Sequence, residues 1–548
     1  MMEIFFTILI LILVVSISGV MIRIFPFQMP LPLMQILLGA VLAWPRFGLH
    51  IDFNPELFLL LFIPPLLFSD GWKTPMREFL RHGGEIVILA LVLVIITVVG
   101  IGYLIHWIMP EMPLVAALAL AAVLSPTDAV ALSGIVGEGR IPKKLMDILQ
   151  GEALMNDASG LVSLKFAISV AMGTMIFSIG GASIEFIKVS VGGLLAGIII
   201  TWWYSKSLRF ITHWSGGDSA TQTILLLLLP FAVYLVAEHI GVSGILSSVA
   251  SGMTIGQSGI IRNAPLNMRL RGNSVWAMLE FVFNGMVFIM LGLQLPDILF
   301  TSMLEASMDP TIKTWMLFIY VILIYAALMV LRFGWLWLMK HISLYCAQKF
   351  TMVFSEYSTR EILIASFAGV RGAITLAGVL SIPLFLKDGS MFPCRYQLVF
   401  IATGVIVFSL LCGVFVLPWL LRGIVVSDKL LQRKEERMAR SIAAEVAIES
   451  VYKLEERLVN SQEENIDSQI VNEVSARIIG NLRRRINGNN DVHFMLIEEL
   501  ERRMRLSALR AERGEYYHLR AQQKISNETL VKLLRDLDFL EALLVEYE

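Results

Sequence analysis

Charge is what this 548-residue sequence has least of: Asp, Glu, Lys and Arg make up 16% of it, and they crowd beyond about residue 425. A chain that is 56% hydrophobic, with a mean hydropathy of +0.72, has too little polar surface for a water-soluble protein of this size. It reads as an integral membrane protein. Cysteine is nearly missing as well. Cys346, Cys394 and Cys412 stand far apart without metal-like spacing, which argues against a disulfide framework and against a cysteine metal site. No phosphate-cradling Gly-Lys-Ser/Thr loop occurs, so ATP drive is not expected. The first segment, MMEIFFTILILILVVSISGV, lacks a basic leader and a small-residue cleavage site, and is expected to be a retained span. The net charge of -1 averages two dissimilar regions and says little about partners.

What is present is a succession of apolar runs. They predict helices at 4–22, 31–45, 55–71, 85–108, 113–133, 146–175, 184–205, 221–239, 241–257, 274–295, 314–338, 360–384 and 396–422, thirteen in all. Loop charge alternates along them. One set of loops carries Arg23; Lys73, Arg77 and Arg81; Arg140, Lys143 and Lys144; Lys206 and Arg209; Arg262, Arg269 and Arg271; and Lys340, Lys349 and Arg360. The intervening loops carry only Arg46, Lys313, Lys387 and Arg395. The positive-inside rule then puts the N-terminus outside and the C-terminus in the cytoplasm, which requires an odd number of spans.

The chain is organised around Ala121 to Leu161, where AAVLSPTDAV and ILQGEALMNDASGL place ionisable groups inside spans. Carboxylates at membrane depth are costly and mark function by default. A Ser-Pro-Thr-Asp run in mid-span frees backbone carbonyls, tolerated only where they line a cavity or meet protein partners. Together these describe a cation site. Asp157 is the expected titrating group, with Asn156 about 100° away on the same helix and bordering the same cavity. The Thr127 hydroxyl and backbone oxygens around Pro126 would complete an oxygen shell for a monovalent cation. Proton and cation then compete for one carboxylate, which suffices for antiport if the empty ionised form does not cross.

Other polar groups in the spans carry weaker readings. Glu152 is paired with Arg371 in a second interrupted stretch, GVRGAITLA, with Arg332 the competing partner; the pair is read as structural, because a permanently charged arginine cannot shuttle protons. Asp128 is a second titrating acid or a helix-break anchor. Ser125, Asp70, Lys165 and Arg332 are candidate pathway residues, Asp70 lining an inward funnel or sitting at the interface. Glu238 and His239 sit near an outer helix end. Lys165 either snorkels or holds a counter-acid such as Glu280.

Setting the first helix aside and cutting the other twelve into two sets of six puts SPTDAV in the fourth helix of the first set. The glycine-interrupted span near 360–384 is taken as the fourth helix of the second set. Interrupted helices in two halves indicate a repeat, expected to be inverted, with the binding site between the halves. The domain division is 1–422 in the membrane and 423–548 as a helical cytoplasmic region. Within the latter, apolar positions recur every three or four residues, INGNNDV breaks the pattern, and Ser526 is a candidate cap for a last helix. These helices need a partner: each other, the membrane part, a regulator or a second copy.

PPLLF at 64–68, SPTDAV at 125–130, GEALMND at 151–157, AEHIGVSGIL at 237–246 and GVRGAITLA at 369–377 make the chain resemble bacterial sodium/proton antiporters of the monovalent cation/proton antiporter family one. This is the NhaP-like group related to the animal sodium/proton exchangers, and the resemblance spans roughly 1–422. It implies an all-α polytopic fold of about thirteen transmembrane helices with an inverted six-helix repeat and two crossing interrupted helices. It further implies a homodimer in the bacterial inner membrane serving pH homeostasis, without a cofactor, that exchanges sodium or lithium for protons. Asp157 resembles the family's ion-binding aspartate and Asn156 its partner, Thr127 and Asp128 the unwound-helix pair, and Glu152 and Arg371 the family's acid and arginine. Asn-Asp in place of Asp-Asp resembles the electroneutral branch. Ala153 stands where many relatives have serine, and Ser69 where many have an acid, a role Asp70 would take over; both bear on sodium against potassium. The alternatives are potassium/proton exchange on the same scaffold and, more remotely, an intramembrane aspartyl protease or a non-transporting sensor.

Overall fold

The computed structural model describes residues 2–24, 29–43, 55–137, 140–173, 179–215, 219–258, 266–308, 314–345, 357–386, 389–422, 428–460, 468–487 and 492–545. Among these the fold is helical, apart from one isolated bridge between Phe385 and Met391. Arg46, Arg262, Lys313, Lys349 and Lys387, counted above as loop charge, lie outside the described residues, as does most of INGNNDV. The chain divides into two compact units, Met1–Val426 and Ser427–Glu548.

The first unit begins with α1 Met2–Ile24, α2 Leu31–Leu42, α3 Pro55–Lys73, α4 Met76–Arg81 and α5 Gly83–Ile108, the last with a π turn at Ile88–Val92. There follow α6 Leu114–Leu124 and α7 Ala129–Val136, bent by 48° at their break, then α8 Lys143–Ala171 and α9 Ile179–Ser215. Next come α10 Ser219–Ile240, α11 Gly244–Gln257, α12 Leu266–Met308, α13 Thr314–Tyr345, the short pair α14 Thr359–Phe367 and α15 Ala373–Leu380, and α16 Arg395–Leu421. Starts are set by local chemistry. Pro30, Pro113 and Pro142 precede α2, α6 and α8, where a missing N–H costs nothing. Ser243 caps α11, and Ser358 forms a capping box with Glu361 on α14.

Several helices outrun their predicted spans. The stretches read as 184–205 and 274–295 belong to helices of 37 and 43 residues. An apolar window ends at the first charges, whereas backbone hydrogen bonding continues beyond the hydrocarbon. Among the described residues, seven helices are long and apolar enough to cross a membrane, or eight with the bent α6–α7 pair taken as one.

The helices of this unit sort into two packed sets. α2 lies on α12, α11 is gripped by α3, α9 and α10, and α1 leans on α2 and α12. In the other set α6 packs between α5 and α8, α14 packs between α13 and α16, and α15 lies on α16. Hydrocarbon gives helices little reason to associate hydrophobically, so backbones must approach closely to gain dispersion energy. Glycine permits this at α2 and α12: a Cβ at Gly292 would lie 2.0 Å from the Ile36 carbonyl oxygen, and one at Gly39 2.2 Å from that of Ile289.

The second unit comprises α17 Asp428–Asn460, α18 Ser468–Asn487, α19 Val492–Ala521 and α20 Asn527–Val545. They pair with one another, α17 on α18 and α19 on α20. Ser526 Oγ accepts from the Thr529 N–H at 3.1 Å and starts α20. Arg513 ties α19 to α20 through Asp538 (2.5 Å) and Glu541 (2.6 Å).

The crossing at Gly292 yields a stability test. Gly292→Ala must push two backbones apart and is expected to cost about 1–3 kcal/mol, read as a lower Tm of the protein in detergent. Gly334→Ala on α13, where a Cβ meets nothing within 4 Å, should leave Tm unchanged or raise it. Equal behaviour of the two variants would contradict the close-approach account.

Candidate functional site

The two interruptions meet. Between α6 and α7 the chain leaves helical form at Ser125–Asp128; between α14 and α15 it does so at Ala368–Gly372. The Asp128 N–H donates to the Val370 carbonyl at 2.7 Å, joining one break to the other. Each break leaves up to four carbonyls and up to four N–H groups without intrahelical partners, and named side chains answer some of them. Asp128 Oδ1 accepts from the Ala131 N–H at 2.8 Å and caps α7. Its Oδ2 occupies the space a side chain would need at Gly372, where a Cβ would be 1.7 Å away, so this carboxylate faces the positive ends of both α7 and α15. Arg371 does the opposite at the negative ends: Nε donates to the Leu124 carbonyl at 3.0 Å, and a terminal nitrogen donates to the Gly369 carbonyl. Ser125 Oγ donates to Ala122 O at 2.8 Å and closes the end of α6.

α8 runs past this crossing. Asn156 clamps the unwound segment: its Nδ2 donates to Thr127 Oγ1 at 2.8 Å, and its Oδ1 accepts from the Thr127 N–H at 3.4 Å. One residue on, Asp157 turns the other way and lines a cavity of about 340 Å³ with Asp70, Thr127, Asp128, Ala153, Glu280 and Asn284. Asp157 is 8% exposed, and among the described residues no cationic side chain pairs with it. Lys73, Ser133 and Gln150 also line this cavity, so it extends from Asp157 toward the start of α8 and the basic stretches at Lys73–Arg81 and Arg140–Lys144. Ser159, half a turn beyond Asp157, donates to the Ala90 carbonyl at 2.6 Å and steadies the π turn of α5.

Three sequence expectations are corrected. Glu152 does not pair with Arg371; Arg332 holds it through two bonds of 2.5 and 2.7 Å while donating from Nε to Ala365 O at 3.0 Å. Arg371 is committed to the helix ends, which leaves the bidentate fork of Arg332 for the carboxylate. Asn156 does not border the cavity with Asp157, because the 100° between them carries its amide to Thr127 instead. Lys165 holds Glu238 at 2.7 and 3.0 Å, not Glu280, and the two line a separate cavity of about 240 Å³ two turns along α8. Glu280 pairs with Lys73. Arg332, Arg371, Glu152 and Ser125 lie outside the Asp157 cavity. Asn284 was missed by sequence reasoning. Glu280 and Asn284 stand four apart in an otherwise apolar run, as Glu152 and Asn156 do, and that spacing was the available signal.

Comparison with known proteins agrees with the geometry. Residues 8–423 match the family model described as sodium/hydrogen exchanger, transmembrane. The chain is 69% identical over 546 residues to an uncharacterized Na(+)/H(+) exchanger, YjcE, of Escherichia coli (strain K12), covering all of both proteins. It is 37% identical to the sodium, potassium, lithium and rubidium/H(+) antiporter of Bacillus pumilus, covering 99% of this chain and 78% of that protein. In fold it resembles the sodium proton antiporter MjNhaP1 of Methanocaldococcus jannaschii, with a TM-score of 0.56 at 17% identity, over 77% of this chain and 99% of that one.

The buried pair can be tested by stability. Glu152→Gln leaves a buried guanidinium without its carboxylate and is expected to cost about 3–5 kcal/mol. A double-mutant cycle between Glu152 and Arg332 in detergent melting should show strong coupling, and one between Glu152 and Arg371 clearly weaker coupling. The reverse ranking would contradict the assignment.

Proposed function

From the premise that this chain belongs to the sodium/hydrogen exchanger family, we propose that it exchanges a monovalent cation for a proton at Asp157. Family and fold are those of membrane cation/proton antiporters, transporters and not enzymes, which sets the aspartyl-protease alternative aside. The observation that carries the reading is the buried carboxylate of Asp157, without a cationic partner among the described residues, at the wall of a polar cavity where two broken helices cross. Such a group is expensive to leave ionised and empty. It is satisfied by a proton or by a cation, and only satisfied forms pass between inward- and outward-facing states. One carboxylate exchanging one for the other makes transport electroneutral. Thr127, Asp128 and Asp70 supply further oxygens toward the cation, with Asn156 positioning Thr127.

Sodium, with lithium beside it, is the proposed cation. Potassium is the second reading, favoured by two observations: a relative carries potassium and rubidium in its name, and Ala153 lines the cavity without the oxygen a serine would offer. The cavity opens on the side of the basic loops, which the positive-inside rule assigns to the cytoplasm, so this conformation is inward-facing. The proposed setting is a homodimer in the bacterial inner membrane, N-terminus outside, serving pH homeostasis, with the cytoplasmic helices available to a regulator or a second copy.

On a count of thirteen spans, the repeat needs a different frame from the one first drawn. With the first helix set aside, the interruptions fall fourth and fifth in their sets, and both sets begin on the same side. With α9 set aside instead, both fall fifth and the sets begin on opposite sides, as an inverted repeat requires.

The test is proton movement in proteoliposomes. A sodium or lithium pulse should dissipate an imposed proton gradient with wild-type protein, and Asp157→Asn should fall to the rate of protein-free vesicles. A potassium pulse ranks the second reading against the first. A silent folded wild type, or an active Asp157→Asn, would overturn the proposal.

A further inference from the structure

The mouth of the cavity leading to Asp157 is lined by a pair the exchange chemistry does not require. Glu280 projects from α12, and its side chain is 17% exposed. Lys73, the last residue of α3, reaches it from a stem that is 59% exposed, and its ammonium pairs with Glu280 Oε2. Ser69 Oγ donates to the same oxygen at 3.4 Å. Asn284 lies one helical turn further along α12, and Asp70 lies beside Ser69; both line the same cavity. This arrangement offers carboxylate, amide and hydroxyl oxygens on the route between the mouth and the unpaired Asp157. It is held by a monovalent cation that belongs to the protein.

We propose that Glu280, with Asn284, is an entry site for the transported cation and that Lys73 is a tethered competitor for it, so this pair sets the apparent cation affinity. The inference rests on the antiport reading above. Its physical basis is the asymmetry of the pair. Glu280 is mostly enclosed, and leaving it empty is unfavourable, whereas Lys73 is mostly solvated and loses little by swinging out. An arriving alkali cation therefore displaces the ammonium at small cost, and it does so more readily as its concentration rises. The ammonium also holds the mouth against cations when they are scarce. Because only the first encounter is affected, the pair acts on KM more than on the rate of the carrier once loaded.

The test is the sodium dependence of exchange in proteoliposomes. Lys73→Gln should lower KM by about two- to fivefold, the range of an ion pair with one exposed partner. Lys73→Arg keeps the charge and should keep KM near the wild-type value. Glu280→Gln should raise KM, and in its background Lys73→Gln should no longer lower it. The proposal is overturned if Lys73→Gln leaves KM unchanged or raises it, or if its effect is the same with Glu280 absent. Wild-type vesicles without any exchange would instead remove the antiport reading, so the two failures are told apart.

Discussion

Two helices broken in mid-membrane impose the constraint on which the rest of this structure depends. Each break leaves N–H groups on one side and carbonyls on the other without intrahelical partners, which apolar surroundings tolerate only where the break meets protein partners or lines a cavity. Crossing the two breaks brings like ends together, and one side chain of opposite charge then serves both. Asp128 sits at the positive ends of α7 and α15, and Arg371 reaches the last carbonyl of α6 and the Gly369 carbonyl within the second break. Gly372 is a consequence of that geometry, since any side chain there would displace the Asp128 carboxylate.

That neutrality at the crossing leaves Asp157, among the described residues, without a cationic partner. Asp128, Arg371, Glu152 and Arg332 are all engaged by backbone or by one another. Asn156 is spent on Thr127. The site helix α8 is therefore held along one face by fixed hydrogen bonds and presents its remaining acid to the cavity. It also lies where the two sets of helices meet: α3, α9 and α11 of one set touch it, as do α6 and α15 of the other. A site at such a seam changes exposure when the sets shift, without its own bonds being remade.

Much of this was legible in the sequence, for a physical reason. Polar residues in spans are rare, so Ser-Pro-Thr-Asp and Gly-Val-Arg-Gly stand out as breaks, and Asp157 stands out as an acid at depth. What was not legible is which charges meet. The sequence favours Arg371 over Arg332 as the partner of Glu152, and only the position of the broken backbone shows that Arg371 is already taken. For Lys165 the sequence leaves snorkelling and a counter-acid such as Glu280 both open; the fold gives it a counter-acid, Glu238, and gives Glu280 to Lys73. Helix ends were short in the sequence reading because hydropathy reports the bilayer and not the hydrogen-bond ladder, as α9 and α12 illustrate.

The account's central claim is that one carboxylate is shared between proton and cation. The most direct measurement is proton release on sodium addition to purified, weakly buffered protein in detergent, with no membrane or gradient present. The account predicts saturable release of protons by the wild-type protein and none by Asp157→Asn, with release shrinking as pH rises and the bound proton is already gone. Sodium binding without proton release, or release that survives in Asp157→Asn, would contradict it.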